Sequence, residues 1–409
     1  MKAGRTPLRV LFYTAYPQRM AGANRSMFEL VTNLPDWIKP TVLVGGEGEV
    51  ARAYQDAGVP CRVLPARGAL GRFGRGALAG GAIGRLRTAL ADLLPFIAQL
   101  KRVVAEEKAD LVHLNDLRGA MTLAPAARLS GVPVIMHLRG EIPFRGLLHR
   151  LTERAPHRII AVSDGARNSL SPAARNRAVT VYNGTRDISD RGAAPLRWLS
   201  ALRAEGVAVV SCFASVVPFK GHHHLIRAVG LLNRQGWRDR AAFVCVGDLV
   251  EEHHAYQAWL YELMEAEGVD NLTFTGWQPD PFAFYRNADI TVLPSVSFER
   301  LSYGDAEHDV RGNEGFPRTH LEAMSFSLPV IGTRIAGVPE QVEHGVTGFV
   351  VEPSDPQALA QALETLLKSP DLRRQMGHAG RERVEALFST DAYVAGVTRV
   401  YRDLLGDPS

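Results

Sequence analysis

Two series of short apolar runs, each interleaved with amphipathic helical stretches, constrain this chain more than any other feature. The first series is LRVLFYT (8–14), PTVLVG (40–45), DLVHL (110–114), PVIMHL (133–138) and RIIAVS (158–163), with helical patterns at 24–34, 85–107 and 119–130. Residues 185–205 then lose the strand signal. The alternation restarts with VAVVSCFA (207–214), AAFVCVG (241–247), NLTFTG (271–276), ADITVLP (288–294), PVIGT (329–333) and GFVVEP (348–353). Runs apolar at every position suit strands buried on both faces, and strands that alternate with helices imply parallel sheets built from βαβ units. The expected class is α/β, with two doubly wound Rossmann-like domains facing each other across a cleft. The expected boundaries are 1–188, 189–388 and a last helix over 389–409. In that helix Tyr393, Val394, Val397, Val400, Tyr401, Leu404 and Leu405 share one face, which is buried either in its own domain or back against the first.

Bulk properties narrow the function classes. No segment reaches the roughly 18 uninterrupted apolar residues a spanning helix needs, and LRVLFYT is too short for a signal-peptide core. Cytoplasmic location, with peripheral contact at the inner face of a membrane as the variant, is the expectation. Net charge is +4 without a basic stripe interleaved with aromatics, which argues against nucleic acid. The cysteines Cys61, Cys212 and Cys245 lie far apart in sequence, and their odd count and the apolar, strand-like settings of Cys212 and Cys245 suit reduced, buried thiols.

The chemistry concentrates in 311–355. Gly315–Phe316 reads as a turn, Pro317 as a helix start, and Thr319–Met324 as a good helix former. Amides near Arg318, Thr319 and His320 would be unpaired at such a start, which suits an anion such as phosphate. Glu322 lies one turn in, where it could accept from a ribose diol; Glu314 precedes the turn and could meet a sugar beyond the diphosphate. In FASVVPFKGHHHLIRAV (213–229), Lys220 sits at a strand-to-helix turn, placed to meet a diphosphate as a point charge. Read singly, each has a plainer explanation: Glu322 complementing a helix dipole, Glu314 a solvated acid, Lys220 a surface lysine. Consecutive helical residues leave in different directions, so neither His222–His223–His224 nor His253–His254 is expected to grip an ion, and no metal site is expected. In the first half, Gly22 marks a helix start without the G-x-G-x-x-G fingerprint. His137, Arg139 and Glu141 follow one strand, and His113, Asn115 and Asp116 follow another, so both sets should sit at the cleft mouth. A lone histidine at a strand end is more often structural.

Assembled, these segments make the chain similar to the retaining glycosyltransferases of the E-x7-E type, glycosyltransferase family four, with the GT-B fold. The resemblance covers nearly the whole chain. Glu314 and Glu322 are separated by seven residues, and EAMSFSLPVIGT, AGVPEQVEHGVTGFVVEPSD, VYNG (181–184), FKGHHHLIRAV and LTFTGWQPDPFAFYRNADITVLPS (272–295) follow the family's pattern in order. The resemblance implies that Glu314 contacts the donor sugar, Glu322 the ribose and Lys220 the diphosphate. It also implies that amides near Arg318, Thr319 and His320 hold phosphate and that His137 lies close to the sugar. Retention at the anomeric carbon, no cofactor, no divalent metal and a final helix returning to the first domain are implied as well. Three departures stand out. Ser215 occupies a position where the family often has arginine, leaving Arg311 or Arg318 as substitutes. Ala21–Gly22–Ala23–Asn24 replaces the usual G-G-x-E, and Ser327 stands where glycine often sits.

The implied reaction moves a hexose or N-acetylhexosamine from a nucleotide diphosphate sugar to a hydroxyl of a glycan, lipid-linked or small-molecule acceptor. Asn24, Arg139, Glu141, Arg72 and Arg75 are the acceptor-side candidates. Arg62, Arg67, Arg72, Arg75, Arg85 and Arg87 fall in an acid-free stretch from Ala57 to Ala91. Such a segment suits an anionic acceptor, an anionic membrane, or merely a solvated loop. The rival readings are a nucleotide-sugar epimerase or hydrolase of the same architecture and a noncatalytic sugar-nucleotide-binding protein.

Overall fold

The apolar runs of the first half form a seven-stranded parallel sheet: β1 (Leu8–Thr14), β2 (Ile38–Val44), β3 (Cys61–Val63), β4 (Leu111–Leu114), β5 (Val134–Leu138), β6 (Arg158–Ala161) and β7 (Ala178–Thr180). A computed structural model describes residues 7–20, 22–65, 91, 94–142, 147–191, 196–312 and 314–406. Strand order is β3-β2-β1-β4-β5-β6-β7. Every pairing is parallel, which requires crossovers and so covers both faces with helices.

The second half repeats the plan with β8 (Ala208–Phe213), β9 (Ala241–Val246), β10 (Leu272–Gly276), β11 (Ile290–Leu293), β14 (Val330–Thr333) and β15 (Gly348–Val351), ordered β10-β9-β8-β11-β14-β15. Between them an antiparallel hairpin, β12 (Phe298–Tyr303) and β13 (Ala306–Arg311), pairs from Phe298↔Arg311 to Tyr303↔Ala306. The hairpin lacks an apolar run because most of its side chains face water. Leu301, Tyr303 and Val310 are the ones that join the core.

The chain divides into two compact units, Met1–Gly184 with Thr390–Ser409, and Thr185–Ser389. The last helix, Thr390–Leu405, thus belongs to the first unit. Its Tyr393, Val394, Val397, Val400 and Tyr401 share a core with Phe12, Met27, Leu30 and Tyr54. The second core gathers Phe243, Tyr256, Leu363 and Leu366 around β8 and β9. Cys212 and Cys245, distant in sequence, are register partners on those two strands, and all three cysteines are free thiols. Among the described residues no helix is long and apolar enough to cross a membrane.

Strand order reverses direction at β1/β4 and again at β8/β11, and loops leaving such a switch point form ligand crevices. In the second unit the two loops are fastened together. Val296 N donates to Phe219 O at 2.8 Å, and Gly221, at φ 72°, lies so close that an added Cβ would sit 1.9 Å from Pro294 O. Glycine is required there both for the left-handed backbone and for the approach. Gly221→Ala is therefore expected to cost at least about 2 kcal/mol of stability, read as a lowered midpoint in urea unfolding. A midpoint equal to wild type would mean that the two loops are not locked together as described.

Candidate active site

Lys220 ends a single 3-10 turn, Pro218–Lys220, that follows β8. Its ammonium pairs with Glu314 Oε1, and Ser295 Oγ, just past β11, donates to the same oxygen at 3.1 Å. Glu314 is 8% exposed and the Lys220 side chain 19%, so the pair is held largely out of water. An ammonium carries three hydrogens, and one carboxylate oxygen leaves it capacity for further acceptors.

Four residues beyond Glu314 begins the helix Arg318–Ser325, with Pro317 at the N-cap and no side-chain cap. Proline lacks a side-chain acceptor, so the N-cap residue itself does not neutralise the positive end of the helix. Glu322 is buried; it accepts from Tyr285 Oη at 3.1 Å, and Arg318 Nε lies 3.7 Å from its other oxygen. Tyr285 is stacked on Phe213 with centroids 3.6 Å apart, and on Phe326 at 5.5 Å. The His320 side chain does a different job. Its Nδ1 bonds Gln341 Oε1 at 3.0 Å while Gln341 Nε2 donates to Pro317 O at 2.9 Å, which pins the helix start from behind. Thr319 contributes its carbonyl, 3.5 Å from Tyr285 Oη.

Lys220, Glu314 and Glu322, with Arg318, Thr319 and His320, are all in the second unit and cluster along one turn and one helix start. Ser215 is half-buried in the turn after β8, where its carbonyl accepts from Val217 N. Of the two arginines that could substitute, Arg311 stacks on the Phe298 ring at 5.1 Å, and Arg318 sits by Glu322. Tyr285 and Ser295 were not singled out in sequence, because a tyrosine in an amphipathic helix and a serine after a strand look ordinary. Their signal is only their place within LTFTGWQPDPFAFYRNADITVLPS.

Two consecutive histidines converge where the spacing on a helix predicts that they should not. His223 Nε2 and His224 Nε2 both reach Glu299 Oε2, at 3.0 and 2.9 Å. In the first turn of a helix, long side chains can swing past the end, so adjacent residues meet on a hairpin carboxylate. His223, His224 and Glu299 form one set of three whose ligand atoms lie within 4.8 Å of one another, and Cys212, His222 and Cys245 form another. Among the described residues these are the groups that could hold a metal.

In the first unit, Gly22 opens the helix Gly22–Val31. Asn24 is buried and spent on structure: its Oδ1 accepts from Thr14 Oγ1 at 2.7 Å, and its Nδ2 donates to Tyr16 O and Arg19 O. Arg139 is a hub that donates to Asn115 Oδ1, Asn183 Oδ1 and Tyr393 Oη, so VYNG and the last helix are tied to the end of β5. Those bonds leave Asn24 and Arg139 with little capacity for a bound acceptor. Burial raises the Glu141 carboxyl above its ordinary value. His137 is fully buried beside His113. Arg72 and Arg75 lie outside the described residues; Arg62, from the same acid-free stretch, pairs with Glu106 and Glu107 brought in by another helix.

Comparison with known proteins bears on this arrangement. The family model described as "Glycosyl transferases group 1" matches residues 200–383, and that described as "Glycosyltransferase Family 4" matches residues 20–187. A GDP-mannose-dependent alpha-(1-6)-phosphatidylinositol monomannoside mannosyltransferase of Mycobacterium tuberculosis is 30% identical over 312 residues, 73% of this chain and 77% of that protein. The capsular polysaccharide biosynthesis glycosyltransferase CapM of Staphylococcus aureus is 28% identical over 197 residues, 48% of this chain and 46% of that protein; this chain thus spans just under half of that relative's length. Among solved structures, Anabaena Alr3699/HepE in complex with UDP-glucose matches with a TM-score of 0.77 at 19% identity, covering 97% of this chain and 100% of that one. That likeness is one of fold, and the fold is of the GT-B type.

Three neutral imidazoles give the structure a pH signature. Burial holds His113 at about 3 and His223 and His320 at about 4, against an ordinary 6.5. A histidine with a depressed folded value binds its proton in the unfolded chain first, so stability is full above pH 6.5 and falls as the pH drops toward the folded value. Between pH 6.5 and 4.5 each should remove about 1.4 kcal/mol per pH unit. Urea midpoints measured across that range should decline with acidification, and less steeply in His320→Gln. A wild-type midpoint that does not move with pH would mean that these rings are not held neutral.

Proposed function

Because the chain belongs to glycosyltransferase family four, we propose that it transfers a hexosyl or N-acetylhexosaminyl group from a nucleoside diphosphate sugar to a hydroxyl of a glycan, lipid-linked or small-molecule acceptor. The observation that carries the proposal is the Lys220–Glu314 pair, buried four residues ahead of an uncapped helix start that also carries Glu322. A fixed cation, a positive helix end and a carboxylate for a sugar diol together match the charge pattern of a nucleoside diphosphate sugar. The GDP-mannose dependence of one relative and the UDP-glucose bound to one structural neighbour support the same donor class.

In the proposed reaction the anomeric carbon–phosphate bond breaks heterolytically, and the electron pair leaves with the diphosphate. Lys220 and the amides of Arg318, Thr319 and His320 stabilise that growing charge. They are already in place before reaction, and preorganised donors of this kind act where charge develops. Glu314 holds the ammonium in position and faces the sugar; Tyr285 aims the Glu322 carboxylate at the ribose. The acceptor hydroxyl attacks from the face the diphosphate leaves, and its proton passes to a phosphate oxygen, giving retention. No side-chain nucleophile and no divalent metal takes part in this scheme. His137 is assigned to the transferred sugar. The proposed location is the cytoplasm, at the inner face of a membrane when the acceptor is lipid-linked.

Lys220→Ala should lower kcat for nucleotide release by about 10²–10³-fold at saturating donor, the scale of removing one preorganised charge-stabilising group. Activity near the wild-type level would remove the leaving-group role and with it the proposal. Excess EDTA should leave the wild-type rate unchanged in the same assay; a rate that collapses and returns on adding a divalent ion would refute the metal-independent scheme.

A further inference from the structure

His113 on β4, His137 on β5 and Tyr401 on the last helix are fully buried and lie in series. Tyr401 Oη is 2.6 Å from His113 Nδ1, and His113 Nε2 is 3.1 Å from His137 Nδ1. The remaining nitrogen, His137 Nε2, is buried with no hydrogen-bond partner among the described residues. Phe12 stacks on the His113 ring with centroids 5.0 Å apart, which holds the ring in the plane these contacts need.

Both imidazoles are neutral at ordinary pH. Burial, with the Arg139 guanidinium nearby, sets His113 at about 3 and His137 well below its usual value. A neutral ring has one N–H and one lone pair, so the bond between the two rings allows only two proton arrangements. In the first, Tyr401 donates to His113 Nδ1, His113 Nε2–H donates to His137 Nδ1, and His137 carries its own proton on Nε2. In the second, every proton is reversed: His137 Nδ1–H donates to His113, and His113 Nδ1–H donates to Tyr401. That second arrangement strands the Tyr401 hydroxyl hydrogen, since among the described residues the phenol's one hydrogen bond is to His113. Unpaired buried polar groups are costly; the first arrangement leaves one, the His137 Nε2–H, whereas the second leaves two, the Tyr401 hydroxyl hydrogen and the His137 Nε2 lone pair, so the first is favoured.

The geometry points to a tautomer relay in which Tyr401 fixes His113, and His113 in turn fixes His137, so that His137 presents an Nε2–H donor and no basic lone pair. The inference rests on the assignment of His137 to the transferred sugar and sharpens it. The ring can give a hydrogen bond to a sugar hydroxyl oxygen, and it cannot serve as a general base. Specificity then follows, because a buried N–H rejects a ligand lacking an oxygen to receive it. Tyr401 and His113 are positioning residues, acting on the sugar only through His137.

Long-range 1H–15N spectra of the full chain labelled at histidine read the tautomers directly. In the wild type, both rings should show a protonated Nε2 and a bare Nδ1. Tyr401→Phe keeps the ring packing and removes the donor; His113 and His137 should then no longer hold a single tautomer, and the KM for the sugar nucleotide should rise roughly two- to tenfold, the scale of one neutral hydrogen bond. His113→Phe breaks the relay at its middle and should also release the His137 tautomer, which keeps the test available if the first variant fails to fold. A wild-type His137 protonated on Nδ1, or an Nε2–H form that persists in both variants, overturns the relay. Tautomers that shift as expected without any change in donor KM would leave the relay standing and overturn the assignment of His137 to the sugar.

Discussion

The contact around which the second unit's polar cluster is built is the ion pair between Lys220 and Glu314. Burying two charges costs several kcal/mol per ion before their attraction offsets it, so such a pair survives only where geometry is enforced from outside. Here the enforcement comes from the backbone. The loop after β8 and the loop after β11 are hydrogen-bonded at Phe219 and Val296, and Gly221 lets them approach closer than any side chain would allow. Ser295, on the same loop, supplies the extra hydrogen bond to the carboxylate. The cation is therefore fixed by the sheet's own switch point and not by a long, free side chain.

The first unit uses the same sheet plan differently. Its switch-point residues are tied to each other and to the last helix through Arg139, Asn115, Asn183 and Tyr393. Asp116 accepts from the amides of Ala15 and Gly119, although burial still raises its carboxyl above the ordinary range. Nearly every polar group in this network has a partner inside the unit. Among the described residues His137 Nε2 and Tyr54 Oη are buried without a partner there, and an unsatisfied buried polar atom is where a function is sought first.

Strands buried on both faces were legible because burial leaves a continuous apolar run: LRVLFYT coincides with β1, and AAFVCV with β9. Short edge strands such as β3 and β7, three residues each, leave too little pattern to read. The β12–β13 hairpin was illegible for a different reason, since its polar side chains face water. Lys220, Glu314 and Glu322 could be picked out because each flanks a turn that leads into a helix, and because the two acids are seven residues apart. Tyr285, Ser295, Gln341 and Tyr401 could not, because their importance lies in what they touch across dozens of residues. The triple histidine shows the reverse hazard: helical spacing gives the direction in which side chains leave the backbone, not where the ring nitrogens of His223 and His224 end.

The first unit is discontinuous. Its core contains Tyr393, Val397 and Tyr401, which are separated from the rest of that unit by residues 185–389. On a ribosome, β1 to β7 emerge with the groove for the last helix unfilled, and they wait on the order of ten to forty seconds at about 5–20 residues per second. During that interval a strip of apolar surface beside Phe12 and Met27 stays uncovered. The first unit's core is thus completed only after the whole of the second unit has been made, which makes that interval a point where chaperone demand concentrates.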